Sequence, residues 1–370
     1  MSTVAEAAAA RAAATAGPSV EGHSPVTFAK ALTTAMADAM RADPGVVVFG
    51  EDVATLGGVF RITDGLQKEF GEQRCFDTPL AESGIVGMAL GMAMNGLRPV
   101  IEMQFDAFAY PAFEQIASHV AKMHNRTRGR ITLPLVIRVP YAGGIGGVEH
   151  HCDSSEAYYA HTPGLKVFTP SSVADAYLLL REAIASEDPV VFMEPKKLYW
   201  SKESVDLDAL REAFEGAASE DAGTASAAGA STGVREEGRA AVVRPGTDAT
   251  IIAYGPAVPP ALAAAEAAAA EGRSVEVVDV RTIVPFDDET ISASVRKTGR
   301  VVVVAEAQGF ASVASEITAR VQERCFHSLA APIRRVTGFD IPYPAPKFEH
   351  WYLPGVDRIL DALDDLQWED

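Results

Sequence analysis

Phe28, Leu32, Met36 and Met40 recur every four positions, and Asp43-Pro44 follows them. That spacing stacks one apolar stripe along a single side and predicts a helix over 28–41, stopped by the proline. The next apolar run, 46–49, is too short for a helix and is predicted as a buried strand. The alternation then repeats: strand 100–105, helix 110–125, strand 135–139, helix 173–186, strand 190–193. Strands that are apolar throughout need cover on both faces. The pattern therefore predicts an α/β fold, a parallel sheet with helices on both sides.

From 215 to 239 the chain becomes Ala, Gly, Ser, Thr and charge, with almost no large apolar side chain. Such a stretch buries too little surface to order itself and reads as a linker or surface insertion. After it the pattern restarts with strand 250–254, helix 261–271, strand 275–280, helix 288–298, strand 301–305 and helix 311–324. A length of 370 residues suits two compact domains. The expected division is a disordered tail at 1–22, a first domain at 23–205, a linker with a low-complexity insertion at 206–242, and a second domain at 243–370.

Charge and cysteines narrow the class. Fifty acidic residues against 32 Lys and Arg give a net charge of -18, which argues against nucleic acid as a partner, because phosphate backbones are bound by clustered cations. Cys75, Cys152 and Cys325 lie far apart and form no CxxC pair, which fits a reducing compartment. The Ala-rich start carries one Arg and lacks the Leu-rich core of a signal peptide. No apolar run approaches the roughly 18 residues needed to span a bilayer. A cytoplasmic protein with no membrane contact is expected.

The simplest catalytic motifs are absent. Gly143 to Gly147 resembles a dinucleotide loop, but Glu149 stands where the last glycine of GxGxxG belongs; Walker A, HExxH and GxSxG are also missing. In doubly wound sheets ligands bind beyond the carboxyl ends of strands. The residues at those ends here are Gly50-Glu51-Asp52, Asp77 to Glu82, Gln104-Phe105-Asp106 and Gly143 to His151. Glu82 opens a helix whose Gly84, Gly87 and Gly91 would let it approach a neighbouring backbone. On position alone an acid in a first helical turn is more often a dipole partner. Gln104 and Phe108 could hold a heteroaromatic ligand by hydrogen bonding and stacking, although Phe108 alone is more often core. His150 and His151 are adjacent in a glycine-rich loop expected to be extended, so only one would face a site.

Taken in order, GEDVATLGGVFRIT, DTPLAESGIVGMALGMAMNGLRPV, EMQFDAFAYPAFEQI and GGVEHHCDSSEAYYAHTPGLKV closely resemble the beta subunit of 2-oxo acid dehydrogenase complexes. VVDVRTIVPFD and VVVVAEA continue the likeness in the second domain. The resemblance implies a transketolase-like pyrimidine-binding domain followed by a transketolase C-terminal domain. It also implies thiamine diphosphate, shared with a separate alpha subunit that holds the diphosphate and Mg2+. An alpha2beta2 heterotetramer, a 2-oxo acid substrate and a lipoylated acyltransferase core as acyl acceptor complete the picture. Glu82 matches the glutamate that bonds the aminopyrimidine and favours the imino tautomer, which takes the thiazolium proton. Leu80 and Gln104 match positions lining that ring, and Phe108 the aromatic that stacks on it. His151 matches the histidine that assists proton transfer and acyl delivery. Some relatives bind K+ through carbonyls in a segment that corresponds to Leu133, Leu135 and Val136.

Two departures stand out: Cys152-Asp153 where relatives often carry Ser and Gln, and the insertion from about 215. The chain also lacks the GDG segment and later Asn that hold the diphosphate and magnesium, which distinguishes it from a transketolase carrying both halves. The segment 143–200 looks most like bacterial branched-chain relatives, and pyruvate is the alternative substrate. A non-catalytic scaffold subunit is the alternative of a different class; Glu82, Gln104, Phe108 and His151 occurring together speaks against it.

Overall fold

The Thr27 hydroxyl accepts a 3.1 Å bond from the Lys30 N–H and so starts helix α1 (Phe28–Ala42), whose stripe of Phe28, Leu32, Met36 and Met40 is buried. This computed structural model describes residues 24–223 and 237–366, and the side chains of 217–223 are excluded. The expected tail at 1–22 and most of the insertion lie outside the described residues.

Seven strands build the first sheet: β2 (Val46–Gly50), β3 (Cys75–Asp77), β4 (Arg98–Glu102), β5 (Val136–Tyr141), β6 (Lys166–Phe168), β7 (Val190–Pro195) and β12 (Thr282–Val284). Their order is β12-β6-β7-β5-β4-β2-β3, parallel except at β12. A second sheet has the order β14-β13-β10-β11-β9 and comprises β9 (Ala241–Arg244), β10 (Ala249–Ala253), β11 (Val275–Asp279), β13 (Val301–Gln308) and β14 (Arg334–Gly338). Only β9 runs antiparallel there. A small ribbon pairs β1 (Val26–Thr27) with β8 (Lys202–Glu203).

Successive side chains of each buried strand leave on opposite faces. Val46 and Val48 join Val100, Val136 and Val190 against α1 and α3 (Val173–Ala185). Val47 and Phe49 pack on the other side with Ile85 and Val86 of α2 (Glu82–Met94), and that core continues into Ile252, Val278 and Val303 of the second sheet. β12 belongs in sequence to the second half but closes the edge of the first sheet, so the two sheets share one apolar interior. Fully buried Arg138 on β5 is paired inside it, donating at 2.6 Å to Glu102 on β4 and at 2.6 Å to Glu194 on β7.

Three expectations need correction. The predicted helix 110–125 is broken into a 3-10 turn Asp106–Ala112, an α turn Phe113–Gln115, a π turn Ile116–Val120 and a short helix Met123–Arg126. Pro111 has no N–H to give, so the first turn cannot settle into the α-helical ladder. The strand predicted at 100–105 leaves the sheet after Glu102, which lifts Gln104 to Asp106 onto its carboxyl rim. Finally, the Ala- and Glu-rich start of the supposed linker is helical, α4 (Leu207–Gly223), anchored by a 2.8 Å bond from Arg211 to buried Asp38.

Candidate active site

The carboxyl ends of β2, β3 and β4 place Glu51, Asp52, Thr78, Glu82 and Gln104 along one rim. A Cβ on Gly50 would meet the Glu102 carbonyl at 2.8 Å, so only glycine lets β2 end here and turn. Asp52 follows with φ 59°, and the Gln104 amide lies 3.4 Å from its carboxylate. Glu82 is the first residue of α2 and half-buried, while Leu80 just before it is 79% exposed. The Glu51 carboxyl is pushed above the usual carboxylate range by burial and then by Glu82 and Asp52, against an opposing bond from the Ala81 N–H. A carboxyl whose proton affinity is raised beside two further acids suits a site where a proton is held and passed.

Aromatic rings form the opposite wall. Phe105 and Phe108 meet edge to face at 5.7 Å, and the His151 ring packs on both, at 4.5 Å and 5.4 Å. His151 is half-buried and His150 exposed, with its ring 6.4 Å from Phe108. The loop is not extended there, as expected from sequence, but folds into a 3-10 turn Glu149–His151; this tight turn brings both rings near Phe108 while burying only one.

Remote groups hold that loop. Gly143 donates its N–H to Glu306 at the end of β13, and a Cβ at Gly143 would overlap the Tyr343 hydroxyl at 1.8 Å. Glu349 accepts from the Gly144 N–H at 2.8 Å and the Gly146 N–H at 3.2 Å. At the far end Asp106 accepts from the Ser155 N–H at 2.8 Å and from the Ser155 hydroxyl, and Asp153 accepts from the Tyr110 hydroxyl at 2.9 Å. Burial pushes Asp106 up to about 7, opposed by its bonds from Ser155. Sequence reasoning missed Glu306 and Glu349 because they reach the loop from the second half of the chain, with no local signal.

Three polar atoms at this rim and wall are buried with no hydrogen-bond partner among the described residues: Glu51 Oε1, Thr78 Oγ1 and His151 Nδ1. Unsatisfied buried groups are what a bound polar ligand would complete. An acid, an amide and a ring face together fit a flat heteroaromatic amine. Among the described residues the named rim positions are the acids Glu51, Asp52, Asp77 and Glu82, with no Lys or Arg between them, which suits a phosphate poorly.

The helix α2 corrects another expectation. Its buried face is Ile85, Val86, Ala89 and Ala93. Among the described residues, nothing lies within 4 Å of where a Cβ on Gly87 or Gly91 would stand. Leu133, Leu135 and Val136 lie at the other end of β5, all buried; the Leu133 and Leu135 carbonyls already accept the N–H groups of Leu135 and Val190.

Residues 24–201 match the family "Transketolase, pyrimidine binding domain" and residues 238–359 match "Transketolase, C-terminal domain". A solved structure described as a split gene transketolase, inactive beta4 tetramer, has the same fold with TM-score 0.70 at 22% identity, covering 93% of this chain and 98% of that one. The class is thus transketolase-like in both halves. Among curated proteins, the pyruvate dehydrogenase E1 component subunit beta of Leifsonia xyli is 51% identical over 90% of this chain and 93% of its own. The 3-methyl-2-oxobutanoate dehydrogenase subunit beta of Mycobacterium tuberculosis is 46% identical over 92% and 91%. The chain belongs to the beta subunits of 2-oxo acid dehydrogenases, and it is an oxidoreductase subunit.

Proposed function

We propose that this chain supplies half of a thiamine-diphosphate site and, with an alpha subunit in an alpha2beta2 heterotetramer, decarboxylates a branched-chain 2-oxo acid and passes the acyl group to a lipoylated acyltransferase core. The observation that carries the reading is the packing of His151 on Phe105 and Phe108, directly after Gln104 in the chain, with unsatisfied buried atoms on Glu51, Thr78 and His151. Thiamine diphosphate, when bound, supplies an acidic carbon and an electron sink for the decarboxylation. With thiamine diphosphate bound, Glu82 would hold a proton for the aminopyrimidine, Gln104, Leu80 and Phe108 would hold that ring, and His151 would serve as the proton-transfer group. The diphosphate and Mg2+ belong to the partner, since the rim here is acidic. The open glycine face of α2, flanked by exposed Met88 and Met94 and starting at Glu82, suits the partner's backbone.

No helix among the described residues is long and apolar enough to cross a membrane. We place the enzyme in the cytoplasm. The Leu133, Leu135 and Val136 carbonyls are the proposed seat of K+, each oxygen keeping a second lone pair. Pyruvate is the second reading, favoured by the name of the Leifsonia relative. A substrate panel on the reconstituted pair decides between them. Branched-chain 2-oxo acids should exceed pyruvate in kcat/KM by about tenfold or more, as one or two methylenes allow in an apolar pocket. A preference for pyruvate would reverse the assignment, and the same panel in lithium in place of potassium reads the cation.

His151→Ala should slow turnover with the lipoyl acceptor by about two orders of magnitude, the lower range for a positioned acid or base, and His150→Ala far less. The structural reason is that His151 packs on two rings while His150 is exposed. Equal losses would undo the assignment.

A further inference from the structure

Lys196 begins the 3-10 turn that follows β7, and its side chain is 0% exposed. Its Nζ has no hydrogen-bond partner among the described residues and lies 6.0 Å from the centre of the Phe105 ring. A buried ammonium without a partner costs more than a methionine of similar size would, so packing alone gives no reason for a charge here. The groups that act on it electrostatically are Asp106 on the turn after β4, Cys152 and Asp153 on the histidine loop, and Glu306 on β13. Asp106 bonds Ser155, Glu306 bonds Gly143, and Asp153 bonds Tyr110. The lysine therefore stands among the carboxylates that fasten both ends of the loop carrying His151, and near one of the two rings on which His151 packs.

We propose that Lys196 is the positioning residue of the His151 loop: its buried ammonium balances Asp106, Asp153 and Glu306, and so keeps the clamp on Gly143 to Ser155 closed with His151 against Phe105. The link to acyl delivery rests on the reading of His151 given above; the clamp itself does not. Without the cation, three buried acids face one another around a single loop, and each would take up a proton or swing away from its N–H. The charge state is tuned near neutrality. Burial brings Lys196 down to about 8, and burial pushes Asp106 up to about 7. Lys196 is thus charged below about 8 and loses its proton above, while Asp106 gains its charge above about 7. Loss of the Lys196 proton on raising the pH and loss of the Asp106 charge on lowering it both weaken the clamp. Lys197 and Glu349 also act on Glu306, with opposite sign, and His150 and Glu149 on Asp153.

Lys196→Met and Lys196→Arg, both in the assembled enzyme, test this. Hydrogen exchange of the 143–155 amides should quicken at least about tenfold in the Met variant and return towards the parent rate in the Arg variant, as expected when local opening loses its charge clamp. Transfer to a lipoyl acceptor should fall on the order of a hundredfold, the cost of misplacing a reacting group by about an ångström, and by more than decarboxylation read with a dye acceptor. Transfer by the parent should fall as pH rises past about 8 and Lys196 loses its proton, and this fall should be absent in the Met variant. Asp106→Asn takes one of the three balancing carboxylates from Lys196 and weakens the bonds from Ser155, and should quicken exchange from Gly143 to Ser155 and not at Ser155 alone, which keeps the test open if the Met variant folds poorly. Unchanged exchange in both variants overturns the proposal whatever the activity. Quickened exchange with normal transfer upholds the clamp and counts against the role given to His151.

Discussion

Glu82→Gln in the assembled enzyme is expected to lose about two to four orders of magnitude in decarboxylation with the fold intact, the range for a positioned acid or base. The amide keeps the size of the side chain and a hydrogen bond to the aminopyrimidine, but it cannot exchange a proton. The fold should survive because Glu82 is half-buried at the start of α2 and contributes no side-chain cap there. Removing its charge also relieves Glu51, whose proton affinity Glu82 raises, so thermal stability should hold or rise slightly. Cofactor affinity should change little, since the diphosphate is held elsewhere; the defect falls on kcat and not on binding. Exchange of the cofactor's acidic carbon-bound proton with deuterated solvent reads the step directly. Exchange at the parent rate would return Glu82 to the status of a helix-terminal acid with an electrostatic role only.

The strands were the most legible part of the sequence. Val46 to Phe49 and Val190 to Met193 are buried on both faces, so every side chain is apolar and the run stands out. Helix α1 was equally plain, because its four-residue spacing has to match one buried stripe. The 106–126 segment was not, since apolar residues at helical spacing do not reveal that Pro111 and a π turn break the ladder. Nor could the local pattern place β12: three residues after Arg281 pair antiparallel with β6, a contact more than a hundred positions away.

The candidate site divides the same way. Glu82 and Gln104 sit at strand ends, where the alternation of strand and helix alone directs attention, and the motifs gave Phe108 and His151. Lys196, Glu306 and Glu349 were invisible, because what marks them is burial beside a distant loop and not any feature of their own neighbourhood. The open face of α2 was misread in one respect: its glycines signalled close approach, and among the described residues nothing lies within 4 Å of a Cβ at Gly87 or Gly91.

The isolated chain should neither bind thiamine diphosphate tightly nor release carbon dioxide, and this is the largest effect expected, activity against none. A diphosphate with Mg2+ needs cations, main-chain N–H groups or metal-binding acids aimed at it. The rim here offers Glu51, Asp52, Asp77 and Glu82, where Asp77 already accepts the Ala54 N–H at 2.8 Å and Glu51 sits beside Ala81. These acids repel the diphosphate, and the aromatic wall can contribute only ring stacking, on the order of 1 kcal/mol beyond burial. That supports at best millimolar binding, about 4 kcal/mol in all. Adding the alpha subunit should supply the missing half and switch on both binding and decarboxylation.

Calorimetric titration of thiamine diphosphate with Mg2+ into this chain alone, and then into the chain mixed with its alpha subunit, tests the half-site most directly. The account predicts no resolved heat at micromolar concentrations for the chain alone and tight saturable binding for the pair. Sub-micromolar binding by the chain alone would contradict it.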